Sequence, residues 1–203
     1  MDAGAPRNRD REPASAIPLT TVFLDRDGVI NRKPADGAYV ARWSEFAFLP
    51  GVPDAISRLT EAGLRVVVVT NQRGIARGLV KKREVERIHR RMIAALAESG
   101  ARIAAVYYCP HEEGECDCRK PATGLFQQAR RDDPRIDFAA SVVVGDSWRD
   151  VQAGNAIGSR TILIESDPLE AQGAAVKAAG LGLVLDVVAG SLAEAVDWVL
   201  ART

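Results

Sequence analysis

Polar side chains capable of phosphate chemistry follow apolar runs of this sequence, at the points where the runs end. Together these side chains comprise two carboxylates, a hydroxyl, an amide, a lysine and a third carboxylate. In chain order the segments are Asp25-Arg26-Asp27-Gly28, Thr70-Asn71-Gln72-Arg73-Gly74, Arg119-Lys120-Pro121 and Gly145-Asp146-Ser147. Ligands of open α/β sheets bind beyond the carboxyl ends of the strands. If the runs are parallel strands, these segments therefore meet at one edge of a sheet.

The carboxylates indicate a magnesium-dependent reaction at phosphorus. Asp25 and Asp27 lie two residues apart and project to the same side if strand geometry continues past Leu24. With Asp146 they offer the hard oxygen ligands that Mg²⁺ prefers. One carboxylate can attack phosphorus to form an aspartyl phosphate, and the other can move the proton. Thr70, Asn71 and Lys120 can bind the phosphoryl oxygens.

Each segment alone is also typical of an ordinary turn, because aspartate and glycine are common there. The convergence of all four segments at strand ends favours a site over a set of turns.

Alternating apolar and amphipathic segments predict the elements that position these residues. The predicted strands are Thr21–Leu24, Arg65–Val69, Ile103–Tyr108, Val142–Val144 and Thr161–Ile164. The predicted helices are Val52–Ala62, Lys81–Ser99, Ala122–Arg131, Trp148–Ala156 and Leu192–Ala201. This order predicts a three-layer, doubly wound α/β fold with a mainly parallel sheet. Residues 28–51 and 109–120 fit neither element, and no segment is left for a cap domain.

A second, softer set of ligands lies within ten residues. Cys109, His111, Cys116 and Cys118 provide three thiolates and one imidazole, which is a tetrahedral set for a structural Zn²⁺. Buried free cysteines are the alternative, but the acidic residues of the segment argue against unligated burial. We expect zinc to hold this loop over the site and to fix Arg119 and Lys120.

The fuller motifs resemble the haloacid dehalogenase (HAD) superfamily. They are Asp25-Arg26-Asp27-Gly28, Thr70-Asn71-Gln72-x-Gly74-Ile75-Ala76-Arg77-Gly78, Lys120 and Gly145-Asp146-x-x-x-Asp150. They are similar to the histidinol-phosphatase-like branch and, within it, to the heptose-bisphosphate phosphatase family, which carries a comparable cysteine loop before its Arg-Lys-Pro.

The resemblance implies a role for each matching residue. Asp25 is then the nucleophile and Asp27 the general acid and base, while Thr70 and Lys120 bind phosphate. Mg²⁺ is held by the Asp25 side chain, the Asp27 backbone carbonyl and Asp146. Asp150 tunes the metal site without ligating it.

The same resemblance implies removal of the 7-phosphate from a D-glycero-D-manno-heptose 1,7-bisphosphate. A histidinol-phosphate phosphatase is the alternative, followed by a polynucleotide 3′-phosphatase or a nucleic-acid-binding module. We predict substrate contacts from six further side chains: Asn31, Tyr39, Asn71, Gln72, Arg73 and Arg119.

Composition restricts the partners. The 203 residues carry 27 basic and 27 acidic side chains, so the formal net charge is zero and neither nucleic acid nor a membrane is expected as a partner.

Residues 1–18 read as a disordered leader without a signal-peptide core, and residues 19–203 as one domain. We expect a cytoplasmic monomer. His89, among arginines of a predicted helix, is assigned to a solvated face without a role.

Overall fold

The computed structural model describes residues 17–35, 37–165 and 168–203, and in residues 168–172 the backbone only. Six strands occur in this part of the chain: β1 (Thr21–Leu24), β2 (Arg65–Asn71), β3 (Ala105–Cys109), β4 (Ser141–Gly145), β5 (Arg160–Ile164) and β6 (Val187–Ala189). They form one sheet in the order β3-β2-β1-β4-β5-β6, and every neighbouring pair is parallel. All but the last two residues of the predicted leader lie outside the described residues.

Helices cover both faces of the sheet. They are α1 (Val52–Glu61), α2 (Lys82–Glu98), α3 (Gly124–Asp132), α4 (Trp148–Ala156), α5 (Pro168–Gly180) and α6 (Leu192–Leu200). Alternate strand residues point to opposite faces. Val22 and Leu24 therefore join the core beneath α1, α2 and α6, whereas Phe23 joins the core beneath α3 and α4. The predicted three-layer α/β fold is confirmed.

The predicted elements agree closely with the observed ones, with two omissions. β1 has the predicted bounds. Gly63 and Gly100, which directly follow the first two predicted helices, have φ of 77° and 78°, a conformation typical of the residue after a helix. Helix α5 and strand β6 were not predicted from the sequence. A three-residue strand is too short to show alternation, and α5 is rich in alanine and glycine without a clear apolar stripe. None of the described helices combines the length and apolar character needed to cross a membrane.

The strand order positions the candidate site. Along the chain the sheet grows from β1 through β2 to β3 on one side, and from β4 through β5 to β6 on the other. A crevice forms where the direction of growth reverses, and this is the usual ligand position in open α/β sheets. Asp25 follows β1 and Asp146 follows β4, so these two carboxylates flank the reversal.

Candidate active site

Three carboxylates meet at the carboxyl ends of the central strands. The carboxylate oxygens of Asp25, Asp146 and Asp150 lie within 4.8 Å of one another. Asp150 comes from the first turn of α4. A Cβ atom at Gly28, where φ is 88°, would collide with Asp146, and one at Gly145 would collide with Asp150. Glycine is therefore required at both positions for the carboxylates to approach.

Lys120 lies between two of these carboxylates. Its ammonium group is 3.0 Å from Asp25 Oδ1 and 2.5 Å from Asp150 Oδ1, and it donates a hydrogen bond of 2.7 Å to the carbonyl oxygen of Val69. The side chain is 3% exposed. Burial favours the neutral amine, but Asp150 and Asp25 outweigh it and raise the pKa of Lys120 well above its usual value. Lys120 is therefore a fixed positive charge beside Asp25.

Burial also changes the acidity of the carboxylates. It raises the pKa of Asp25 to about 6, with Asp150 and Asp27 adding to the effect and Lys120 opposing it. Burial likewise raises the pKa of Asp146 and Asp150. Lys33, from the 28–51 loop, forms an ion pair of 2.7 Å with Asp146 and opposes its shift. Three clustered, desolvated carboxylates favour a cation among them, and their oxygen donors fit Mg²⁺.

The Asp27 carboxylate is held apart from this group. Arg26 donates to it from Nε at 3.2 Å and from Nη2 at 2.8 Å to each oxygen, and Asn31 and Gln72 donate at 2.9 and 3.0 Å. Burial would raise the pKa of Asp27, but Arg26 and these amides lower it below the usual value. Asp25 and Asp27 were expected to project to the same side if strand geometry continued past Leu24. Strand β1 ends at Leu24, so this condition is not met.

The amides predicted to contact substrate are engaged with protein groups. Asn71 donates to the Lys120 carbonyl at 3.1 Å and accepts from the Lys120 N–H at 3.0 Å. Gln72 donates to Asp27 and to the Thr70 hydroxyl, and Asn31 is fully buried beside Asp27. These amides therefore connect groups of the site to one another, and their contacts with a substrate stay predictions.

The other predicted substrate residues are Tyr39, Arg73 and Arg119. Arg73 contacts Tyr39, whose ring packs over Gly74, and forms an ion pair of 3.3 Å with Glu112 of the cysteine loop. Arg77 forms a second ion pair with Glu112, at 2.7 Å. Arg119 Nη1 is buried without a hydrogen-bonding partner in the part of the chain that the structure describes. The two ion pairs of Glu112 thus connect the cysteine loop to the segment that follows β2.

Cys109, His111, Cys116 and Cys118, hereafter the cysteine cluster, converge at the end of β3. The sulfur atoms are 3.2 to 3.5 Å apart, and His111 Nδ1 lies 3.3 Å from Cys118 Sγ and 3.7 Å from Cys109 Sγ. A tetrahedral zinc with bonds of about 2.3 Å has sulfur atoms about 3.8 Å apart. The donor set and its spacing therefore fit zinc, with His111 presenting Nδ1.

His89 is a correction to the sequence analysis. It is 5% exposed, and its Nε2 atom lies 3.2 Å from Arg26 Nη1. Burial and the neighbouring guanidinium lower the pKa of His89 to about 3, so the ring is neutral. A signal was available in the sequence, because His89 falls on the helical stripe of Val85, Ile88, Met92 and Leu96. The surrounding arginines concealed that stripe.

Comparisons with known proteins agree with this geometry. A family model described as "Polynucleotide kinase 3 phosphatase" matches residues 20–159. The D-glycero-β-D-manno-heptose-1,7-bisphosphate 7-phosphatase of Vibrio cholerae is 40% identical over 176 residues, 82% of this chain and 92% of the relative. The enzyme of the same name from Yersinia pestis is 37% identical and covers 91% of this chain and 97% of the relative.

A solved structure gives the same result. The D,D-heptose 1,7-bisphosphate phosphatase of B. bronchiseptica, complexed with magnesium and phosphate, superposes with a TM-score of 0.81 at 35% identity. The match covers 91% of this chain and all of that one. The fold and the site define a HAD-type phosphatase. Within this class the chain belongs to the family that these heptose-bisphosphate phosphatases form.

Proposed function

We propose that the protein hydrolyses the 7-phosphate of D-glycero-β-D-manno-heptose 1,7-bisphosphate through an aspartyl phosphate on Asp25. The observation that carries the proposal is the buried contact between Asp25, Lys120 and Asp150 beside Asp146. The relatives that match most of this chain carry the corresponding name.

Asp25 is the nucleophile of the first step. Its oxygen attacks phosphorus, the bond from phosphorus to the sugar oxygen breaks, and Asp27 gives its proton to the departing oxygen. Asp27 acquires this proton as substrate binds, because an incoming phosphate dianion raises the pKa of a neighbouring carboxyl group. Lys120 and Thr70 bind the transferring phosphoryl oxygens, and the fixed charge of Lys120 stabilises the negative charge that they carry.

Water completes the reaction. Asp27, now a carboxylate, removes a proton from the attacking water, whose oxygen bonds to phosphorus as the aspartyl bond breaks. Inorganic phosphate leaves and Asp25 is regenerated. Arg26, Asn31 and Gln72 hold Asp27 on the same side of the reaction in both steps.

The proposal includes two metal ions with different roles. The Asp25 side chain, the Asp27 backbone carbonyl and Asp146 would hold Mg²⁺, which supplies screening between the phosphate dianion and the attacking carboxylate. The cysteine cluster would hold a structural Zn²⁺. The chain leads from Cys118 directly to Arg119 and Lys120, so zinc would fix both side chains at the site.

We assign the contacts with the rest of the substrate to Tyr39, Arg73 and Arg119. Arg73 contacts Tyr39, and Nη1 of Arg119, which has no hydrogen-bonding partner among the described residues, is suited to the 1-phosphate. A 1,7-bisphosphate offers a second anion for these cations. Histidinol phosphate offers none.

A polynucleotide 3′-phosphatase is the second candidate, favoured by the family model that matches residues 20–159. The zero net charge opposes it, since strand binding gains most of its affinity from basic grooves.

A phosphate-release screen with Mg²⁺ tests the proposal. The substrates are the α and β anomers of heptose 1,7-bisphosphate, histidinol phosphate and a 3′-phosphorylated oligonucleotide. We expect kcat/KM to be greatest for the β anomer. A preference for either of the last two substrates would overturn the assignment. One domain over residues 19–203, a monomeric state and a cytoplasmic location stay predictions.

A further inference from the structure

Arg26 and His89 form a buried pair behind the Asp27 carboxylate. Arg26 is fully buried and lies in the first motif, whereas His89 lies 63 positions further along the chain on α2. The reaction described above uses Asp27 twice and gives His89 no part. The contact between His89 and Arg26 is thus an interaction of the site that the phosphatase motifs do not include.

The contact fixes the state of the histidine ring. A guanidinium group has only donors, so Nε2 of His89 must accept the hydrogen bond and the ring proton must lie on Nδ1. The guanidinium is then held from two sides, with Nη1 directed to His89 and with Nε and Nη2 directed to Asp27. A planar guanidinium held in this way has no freedom to rotate.

Neighbouring groups hold the imidazole in place. The ring of Tyr108 packs against it edge-on, with 5.5 Å between centroids, and the Tyr108 hydroxyl donates to Glu86 at 2.9 Å. Glu86 lies on α2 as His89 does, so the helix and β3 together fix the ring. A ring that only filled space would not need its acceptor nitrogen directed at a buried donor.

We propose that His89 is a positioning residue for the phosphatase reaction, orienting Arg26 so that Arg26 holds the Asp27 carboxyl group in one fixed orientation. The inference rests on the proposed function, because it assigns His89 a role through the general acid and base. His89 touches neither the substrate nor the reacting atoms.

The two steps of the reaction give this role a kinetic signature. With an aryl phosphate such as 4-nitrophenyl phosphate, the leaving phenolate needs no proton, so the first step does not depend on Asp27. The second step still requires Asp27 to remove a proton from water. A misoriented Asp27 therefore slows steady-state turnover but leaves the first release of 4-nitrophenol unchanged. General loss of structure slows both.

The experiment compares His89→Leu with His89→Gln in the zinc- and magnesium-loaded enzyme. Leucine fills the space without an acceptor, whereas the Oε1 atom of glutamine can accept from Arg26. For His89→Leu we expect kcat with heptose bisphosphate to fall about tenfold or more with KM within about twofold. A stopped-flow burst of 4-nitrophenol at the wild-type rate should precede a slower steady state. His89→Gln should stay within about threefold of wild type in kcat.

Several results would overturn the role. They are an unchanged kcat for His89→Leu, a burst slowed in parallel with kcat, or a His89→Gln variant as slow as His89→Leu. Nitrogen-15 NMR of the wild type measures directly which ring nitrogen of His89 carries the proton. The chain has two histidines, so His89→Gln assigns the signals, and a proton on Nε2 of His89 would contradict the proposal. A wild type that releases phosphate from none of the substrates would instead refute the proposed function, and with it the role of His89.

Discussion

The carboxylate site and the cysteine cluster are assembled in opposite ways. We define the carboxylate site as Asp25, Asp27, Lys120, Asp146 and Asp150. Its members come from the ends of two strands, from one loop and from one helix, and they span residues 25–150 of the sequence. The cysteine cluster takes all four donors from a single segment, residues 109–118. The first is assembled by the fold, and the second by one loop.

This difference has electrostatic consequences. Burying several carboxylates together raises the pKa of Asp25, Asp146 and Asp150, so the carboxylate site has unfavourable interactions that a bound cation would relieve. The cysteine cluster is closed by its own four donors and offers no open position for a substrate. We therefore expect the carboxylate site to carry the reaction and the cysteine cluster to stiffen its loop.

The largest expected effect is that of Asp25→Asn, which removes the nucleophile. We expect kcat to fall at least about 10⁴-fold, with the fold and the zinc content retained. Phosphate release and zinc analysis measure the two properties. Asp137→Asn, an exposed substitution of the same kind, serves as the control and should turn over at the wild-type rate. Residual activity of Asp25→Asn above about one per cent would contradict covalent catalysis.

Removal of one zinc ligand by Cys118→Ser should have a smaller effect on turnover and a larger one on stability. The binding free energy of a structural zinc is part of the folding free energy, so we expect Tm to fall by roughly 5–10 °C. We expect turnover to fall about tenfold, because loss of zinc would no longer fix the position of Lys120. Asp117→Ser, at the exposed position between two ligands, is the matched control. Equal zinc content and Tm in the two variants would contradict a zinc site.

Acid should weaken Mg²⁺ binding at the carboxylate site. The pKa of Asp25 is raised from 3.8 to about 6 in the folded protein. Below pH 6 a proton occupies the carboxylate, so the magnesium affinity should fall about tenfold for each further pH unit. The effect of pH on the free energy of unfolding has the opposite direction. Because the pKa of Asp25 is raised on folding, protonated Asp25 stabilises the metal-free fold in acid, and this contribution is lost as pH rises through about 6.

Calorimetric titrations with Mg²⁺ at pH 7.5 and pH 5 measure this competition. Proton release should appear as a dependence of the binding enthalpy on the buffer near pH 6. An affinity independent of pH would exclude Asp25 as the titrating ligand.

The smallest effect should come from Glu112→Gln, which weakens the ion pairs between the cysteine loop and the segment that follows β2. Glu112 joins the cysteine loop to Arg73 and Arg77, and these exposed ion pairs each contribute little. We expect KM for the bisphosphate to rise about threefold, with kcat within about twofold. Glu113→Gln, whose ion pair with Arg149 is 3.7 Å long, is the control. A change in kcat greater than that in KM would place Glu112 in the reaction itself.

The sequence predicted the local features because they depend on neighbouring residues. Strand β1 was predicted at its observed bounds, and the four ligands of the cysteine cluster could be named because short loops keep them together. The identity of the groups at each strand end followed from the motifs. Strand β6 could not be predicted, since a three-residue strand at a sheet edge is defined by pairing with its neighbour.

The directions of side chains required the tertiary structure. Asn71 ends β2 and Gln72 follows it, in a motif that suggests substrate contact, yet Asn71 bonds to Lys120 and Gln72 bonds to Asp27. His89 lies among charged residues, yet it accepts from a buried arginine. Each of these partners is more than 40 positions away in the chain, where local propensity has no influence.

The sequence by itself determined which chemical groups the protein has and roughly where each would leave a strand or a loop. Only the tertiary structure decided which groups meet. Strand order brought β1 beside β4, and this pairing brought Asp25 to Asp146 and Asp150. The physical reason is that the strength of a buried charge interaction depends on distance and on the exclusion of water, and packing between distant segments determines both.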